Sequence, residues 1–209
     1  MQSDIVNFLH ELDDFGTYWF NQKKSISRWF KGQNKKCDTF LLHKYGNLYD
    51  YIVSLHHNSK AMKEIKNNER LFLYAIIVLD QLSRHFYRND CRAFEQDKKA
   101  YSFAEQYIKY YGFDHLNIDE FTFLMVVFEH QENTKIHQKA LEYNMKKAET
   151  LDLNNRKNIT KLTQLYKMTL EHQKVIERFG YYPKRKLICG EKPTKEDKEY
   201  IKTSKYHFF

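Results

Sequence analysis

Between Leu79 and Asp97 the chain reads LDQLSRHFYRNDCRAFEQD, a stretch dense in groups that hold charge or move protons. Asp80 supplies a carboxylate, Gln81 an amide, and Arg84, Arg88 and Arg92 three guanidinium groups. Arg178 and Arg185 occupy a second polar stretch, RFGYYPKRK, so two short segments hold five of the eight arginines in a lysine-dominated chain. A guanidinium fork matches a carboxylate or phosphate bidentately, which a lysine ammonium cannot do. A third group, Glu129-His130-Gln131-Glu132, and a later His172 add carboxylates and imidazoles suited to acid–base work.

Helical spacing relates these groups. Asp80, Gln81 and Arg84 continue the face that carries Leu73, Ile76 and Ile77, so they extend a buried stripe. Glu129 shares a face with Thr122, Met125 and Val126, and His172 one with Leu165, Met168, Ile176 and Phe179. If successive helices pack antiparallel, the three clusters converge at one end of a bundle. The expected ligand set is Gln81, Arg84, Arg88, Arg92, Glu132, Arg178, Tyr182, Lys184 and Arg185. Asp80, Glu129, His130 and His172 are the acid–base candidates.

The leading reading is a pocket for an anionic small molecule, phosphorylated or nucleotide-like, or for an acidic peptide end. The alternative is a hydrolase or phosphoesterase-like enzyme in the same pocket. There His130 or His172 would move the proton, and Arg84 and Arg178 would hold substrate charge. A structural role also suits these groups, since arginines at helix ends meet free carbonyls and buried Arg–carboxylate networks fix helix packing. Glu129, His130, Glu132 and His172 have metal-ligand types but no recognised zinc spacing, and no nucleotide loop or nucleophile elbow occurs. No metal or cofactor is expected.

The elements that must position these groups are helical. At 209 residues with 42% hydrophobic and 16% aromatic content, the chain suits one domain with a substantial core. Six Gly and two Pro leave little turn punctuation for a many-stranded β fold. Long periodic segments predict an all-α antiparallel bundle or array of about seven to nine helices within residues 1–209. They include helices near Asp38–His57, Asn68–Tyr87, Ala93–Gly112 and Asn158–Phe179, and a break near Gln131. No 34-residue self-similarity is visible.

The net charge of +8 favours acidic partners, but Lys is plentiful throughout and carries little functional information. Trp19, Phe20, Trp29 and Phe30 lie among basic residues from Lys23 to Lys36. Such interleaving suits single-stranded RNA or DNA, though terminal aromatics more commonly pack on a core. Cys37, Cys91 and Cys189 are far apart and odd in number, so spacing supports neither a disulfide framework nor a zinc site. No signal-peptide pattern or membrane-length apolar run is present, and a cytoplasmic location without membrane contact is expected. The oligomeric state is not legible.

In order, these segments resemble the bacterial domain-of-unknown-function 924 family. The resemblance rests on Tyr18-Trp19-Phe20, Trp29-Phe30, Leu79 to Arg88, Arg92 to Asp97, Glu129 to Glu132, His172 to Lys186, and Thr194-x-Glu196. It implies an all-helical fold similar to tetratricopeptide repeats and no established activity. The chain departs from the family pattern at Ser83, His85, Gln131, Tyr181 and Lys186, where the family has Pro, Asn, Ser, Arg and Asn.

Overall fold

Short polar side chains open most of the helices by accepting the exposed N–H groups of the first turn. The computed structural model describes residues 2–20, 34–152 and 154–204. After α1 (Gln2–Phe20), Asn34 caps α2 (Lys35–Ser54), Ser59 caps α3 (Lys60–Asn67) and Asn68 caps α4 (Glu69–Ile77). The helix then continues through a π-helical turn (Val78–Leu82) into α5 (Ser83–Phe86). A 3-10 turn (Cys91–Phe94) precedes α6 (Asp97–Tyr111) and α7 (Ile118–Glu129). Asn133 caps α8 (Thr134–Glu149) and Asn155 caps α9 (Arg156–Phe179). The chain ends with α10 (Pro183–Ile188) and α11 (Lys195–Thr203), the latter opened by a reciprocal Thr194–Asp197 capping box. Every regular element among the described residues is helical, so the fold is all-α.

Two features depart from the expected layout. α3, α5 and α10 are one or two turns long, too short to reveal a hydrophobic period, so more helices form than periodicity suggests. The π turn inserts one residue per turn where a plain helix was expected. The expected break near Gln131 is present, between Glu129 and the Asn133 cap. Gly180 ends α9 in the left-handed region at φ +79°, and its N–H reaches the Ile176 carbonyl at 2.8 Å.

The chain divides into two compact units, Met1–Arg88 with Arg92–Leu124, and Asn89–Cys91 with Met125–Phe209. In the first, α4 packs against α1, α3 and α6, while α2 packs against the π turn and α5. Its core includes Leu12, Phe15 and Trp19 of α1, Leu41, Tyr45 and Leu48 of α2, and Phe72, Ile76 and Ile77 of α4. The C-terminal carbonyls of α2 are closed by Lys99, whose Nζ donates to Ile52, Val53 and Leu55 at 3.0, 2.8 and 3.0 Å. In the second unit α8 packs on α9 and α10 on α11. Val175, Ile176 and Tyr182 form a buried cluster there, flanked by Phe179 and Tyr200.

One cysteine expectation is overturned. Cys91 and Cys189 form a disulfide across 98 residues of sequence, and Cys37 stays outside it, buried in α2. The spacing of cysteines cannot show so distant a pairing, because the fold alone brings the two ends together. No helix among the described residues is long and apolar enough to cross a membrane.

α1 and α4 meet at Gly16. A Cβ built there would lie 2.1 Å from ring carbons of Tyr74, a side chain only 3% exposed. In an exposed helix Gly→Ala stabilises by roughly 1 kcal/mol. Here overpacking reverses the sign, and Gly16→Ala is expected to cost about 2 kcal/mol. Urea denaturation should give a lower midpoint for Gly16→Ala, largely recovered in a Tyr74→Leu background. A raised midpoint in the single variant would contradict the close approach.

Candidate functional site

The polar candidates fall into two sets, one in each unit. In the first unit the π turn carries Asp80 and Gln81 into the interior, at 0% and 6% exposure. Arg84, one turn later, spreads its fork over Asp97, with Nη1 and Nη2 donating to the two carboxylate oxygens at 2.8 and 3.0 Å. The same Nη1 reaches the Asp80 carbonyl at 2.8 Å and the Asp80 carboxylate at 3.4 Å. Gln81 Nε2 donates to the other oxygen of Asp80 at 2.6 Å. Arg84 therefore balances two buried carboxylates of its own chain.

Arg88 has a comparable engagement. It grips Asp38 through Nε and Nη2, and His85 Nδ1 lies 2.7 Å from the same carboxylate. Burial would raise the pKa of Asp38, but the hydrogen bonds from His85 and Arg88 outweigh it and hold the group below its ordinary range. Arg92 is exposed and lies over the Tyr87 ring, 4.5 Å from its centroid.

The second unit gathers Glu129, His172 and Tyr182 around residues that periodicity did not single out. Thr169, one turn before His172 on α9, donates to Glu129 Oε1 at 2.6 Å, and Asn144 of α8 donates to Thr169 at 3.2 Å. The Glu129 carbonyl accepts from the Tyr182 hydroxyl and lies 3.1 Å from His137 Nε2. His172 Nδ1 stands 2.8 Å from the Met168 carbonyl and 3.6 Å from Glu129 Oε2. Because a carbonyl only accepts, that geometry puts the His172 proton on Nδ1 and leaves the lone pair on Nε2. Burial pushes the His172 pKa well below the ordinary imidazole value, and the nearby His130, His137 and Arg185 act in the same direction. His172 is therefore neutral at pH 7.

Around α10, Glu132 accepts from the Tyr182 backbone N–H at 2.9 Å, and Arg185 Nη2 donates to the His130 carbonyl at 3.0 Å. Arg185 also faces Glu132 at 3.9 Å and lies over the Tyr182 ring, 5.2 Å from its centroid. Arg178 pairs with Glu196 at 2.8 Å on the exposed surface. Lys184 differs from these cations. It is partly buried, desolvation alone depresses its pKa, and among the described residues it has no hydrogen-bond or ion-pair partner. The basic–aromatic candidate from Lys23 to Lys36 falls mostly on residues 21–33, outside the described residues.

Residues 16–205 match the family described as bacterial protein of unknown function (DUF924). The chain belongs to this family. The DUF924 match takes in both polar sets. A solved protein of unknown function from Agrobacterium tumefaciens shares the fold, with a TM-score of 0.69, 20% sequence identity and 95% of each chain covered. No curated protein matches the sequence.

Tyr181, Lys186, His85 and Gln131 have identifiable partners. Tyr181 donates to Asp197 at 3.0 Å, and Lys186 approaches the same carboxylate at 3.7 Å. Tyr181 and Lys186 thus serve one buried acid at the start of α11. Burial would raise the Asp197 pKa, but hydrogen bonds from Thr194 and Tyr181 and the charge of Lys186 bring it below the ordinary value. His85 adds a ring nitrogen to Asp38, and Gln131 donates back to the Val127 carbonyl at 3.1 Å.

Thr169 and Asn144 were missed because neither carries charge. His137 lies beyond the turn after Glu129, off the helix face that made His172 visible. Asp38 sits in the first turn of α2, where an acidic residue also reads as a dipole partner.

Two outcomes are expected from this geometry. Arg84→Met strands Asp80 and Asp97 without their shared cation, and should cost about 3–5 kcal/mol in chemical denaturation. The buried histidines set a pH dependence. Burial lowers His137 from 6.5 to about 4, so between those values the unfolded chain binds a proton that the fold refuses. Stability is then full above pH 6.5 and falls as pH drops toward 4, by up to about 3 kcal/mol from this group. His172 acts with the same sign. Urea midpoints measured from pH 7.5 to 4.5 should fall for the wild type and fall less for His137→Gln.

Proposed function

We propose that the protein binds a small anion-bearing ligand, phosphorylated or nucleotide-like, at the first turn of α10, with Lys184 as its charge partner. The supporting observation is the uncompensated charge of Lys184. A lysine drawn out of water without a carboxylate loses solvation and gains nothing in return, a condition that a bound anion relieves. Arg185 is its neighbour on the same turn and is held in place by the His130 carbonyl. Arg84, Arg88 and Arg178 are weaker candidates for the ligand, since each is engaged by an acid of its own chain.

A second reading, a hydrolase or phosphoesterase-like activity, draws on His172. Its neutral ring, with the proton fixed on Nδ1 by Met168, has the form of a general base, and Glu129 stands beside it. A phosphatase or phosphodiesterase activity lost in His172→Gln, with the far-ultraviolet dichroism unchanged, would favour this reading over simple binding.

The binding reading is tested by thermal shift and calorimetry with inorganic phosphate, pyrophosphate and nucleoside phosphates. At least one should raise the melting temperature. Lys184→Met should weaken its binding tenfold or more while leaving the unliganded protein as stable as wild type or slightly more so. Equal affinity in wild type and Lys184→Met, or no binding of any of these anions, would refute the assignment.

A further inference from the structure

The disulfide lies beside the proposed site, and its surroundings differ from those of an inert staple. Cys91 is exposed and Cys189 is partly so, which leaves the bond open to attack from solution. Cys189 is also the residue that ends α10. Its N–H returns to the Arg185 carbonyl at 2.9 Å, followed by Gly190 N–H to Leu187 at 3.1 Å and Glu191 N–H to Lys186 at 3.1 Å. α10 spans only Pro183–Ile188, far below the length at which a helix holds itself in water. It is anchored by the buried Tyr182 and Pro183 at its start, by Arg185 and Lys186 contacts along its length, and by the Cys189–Cys91 bond at its end. Lys184 and Arg185 lie between the two ends.

Local charge favours exchange at this bond. Along the chain, Lys184, Arg185 and Lys186 precede Cys189 and Arg92 follows Cys91, cations that outnumber the neighbouring acids Asp90 and Glu191. Positive neighbours stabilise a thiolate, which makes each cysteine a better leaving group and, once reduced, a better nucleophile.

We infer that Cys91–Cys189 is a reversible redox site whose reaction partner is a dithiol reductant, and that its state controls the α10 anion site; the second half rests on the binding function proposed above. A thiolate of the dithiol attacks the sulfur of Cys91, the more exposed of the two residues. The Cys91–Cys189 bond breaks, and Cys189 leaves as a thiolate that takes up a proton. The partner's second thiol then attacks its own sulfur in the mixed disulfide and releases Cys91 as a thiol. Two electrons and two protons pass from the dithiol, which becomes a disulfide, to the cysteine pair. Reduction frees the end of α10, so Lys184, which has no side-chain partner among the described residues to hold it, loses the geometry that the tether maintains, while Arg185 stays on the His130 carbonyl.

Dithiothreitol serves as the probe, with maleimide mass tagging of the native protein and calorimetry with pyrophosphate. In the air-oxidised protein, tagging after denaturation should find one thiol, Cys37. Brief dithiothreitol treatment without denaturant should expose two more, and oxidised dithiothreitol should close them again. Three thiols in the oxidised protein, or a disulfide that yields only after unfolding, would overturn the redox site. Pyrophosphate affinity should fall at least fivefold on reduction, and Cys91→Ser and Cys189→Ser should match the reduced form. Reversible exchange with equal affinity in both states would overturn the control of α10 while sparing the binding function. Exchange without anion binding in either state would instead refute the binding function, and with it the control, and leave the redox site standing.

Discussion

A carboxylate placed in a protein interior must find donors to replace the water it has lost, or it is driven to its neutral form. Four carboxylates meet this constraint here. Asp80, Asp97, Glu129 and Asp197 are each no more than 4% exposed. Arg84 and Gln81 serve the first two, Thr169 serves Glu129, and Thr194, Tyr181 and Lys186 serve Asp197. Asp80 is served from its own stretch by Gln81 and Arg84, whereas donors to Asp97, Glu129 and Asp197 come from other elements or reach across the start of a helix. The need to satisfy these acids therefore helps to fix how neighbouring elements pack within each unit.

That constraint bears directly on function. Arginines that read in isolation as anion ligands are largely committed to balancing internal acids. A site for an external anion is better sought where a cation has been desolvated without compensation, and Lys184 meets that description. Lys99 gives a useful contrast. It is also desolvated, but its ammonium is surrounded by the three carbonyls that end α2, so its burial has a complete structural explanation. Two lysines with the same direction of pKa shift thus have different meanings, and only their hydrogen-bond partners separate them.

The neutral histidines reinforce the view of the second unit as a polar core. His137 and His172 both sit against backbone carbonyls and both lose basicity through burial. Together with Glu129, Thr169, Asn144 and Tyr182 they link α7, α8, α9 and the start of α10. Such a network holds the entrance to α10 in a defined position, and at the exit of that short helix Cys189 is bonded to Cys91. Membership of the DUF924 family and the shared fold with the Agrobacterium protein describe the scaffold and leave the chemistry to these residues.

The sequence by itself determined the helical class, the family, most long helices and the caps at Gly180 and Thr194, because these depend on local spacing and on side chains within one turn. It also marked Asp80, Gln81, Glu129 and His172 as buried, since each continues an apolar face. Tertiary structure alone decided what those groups touch. Nothing local pairs Arg84 with Asp97, Arg88 with Asp38, Thr169 with Glu129, or Cys91 with Cys189, whose partners lie 13, 50, 40 and 98 residues away. The π turn and the short helices α3, α5 and α10 were equally hidden, as one or two turns carry too little periodicity to declare themselves. Charge can be counted along a chain, but whether a charge is spent or available depends on which distant groups the fold brings beside it.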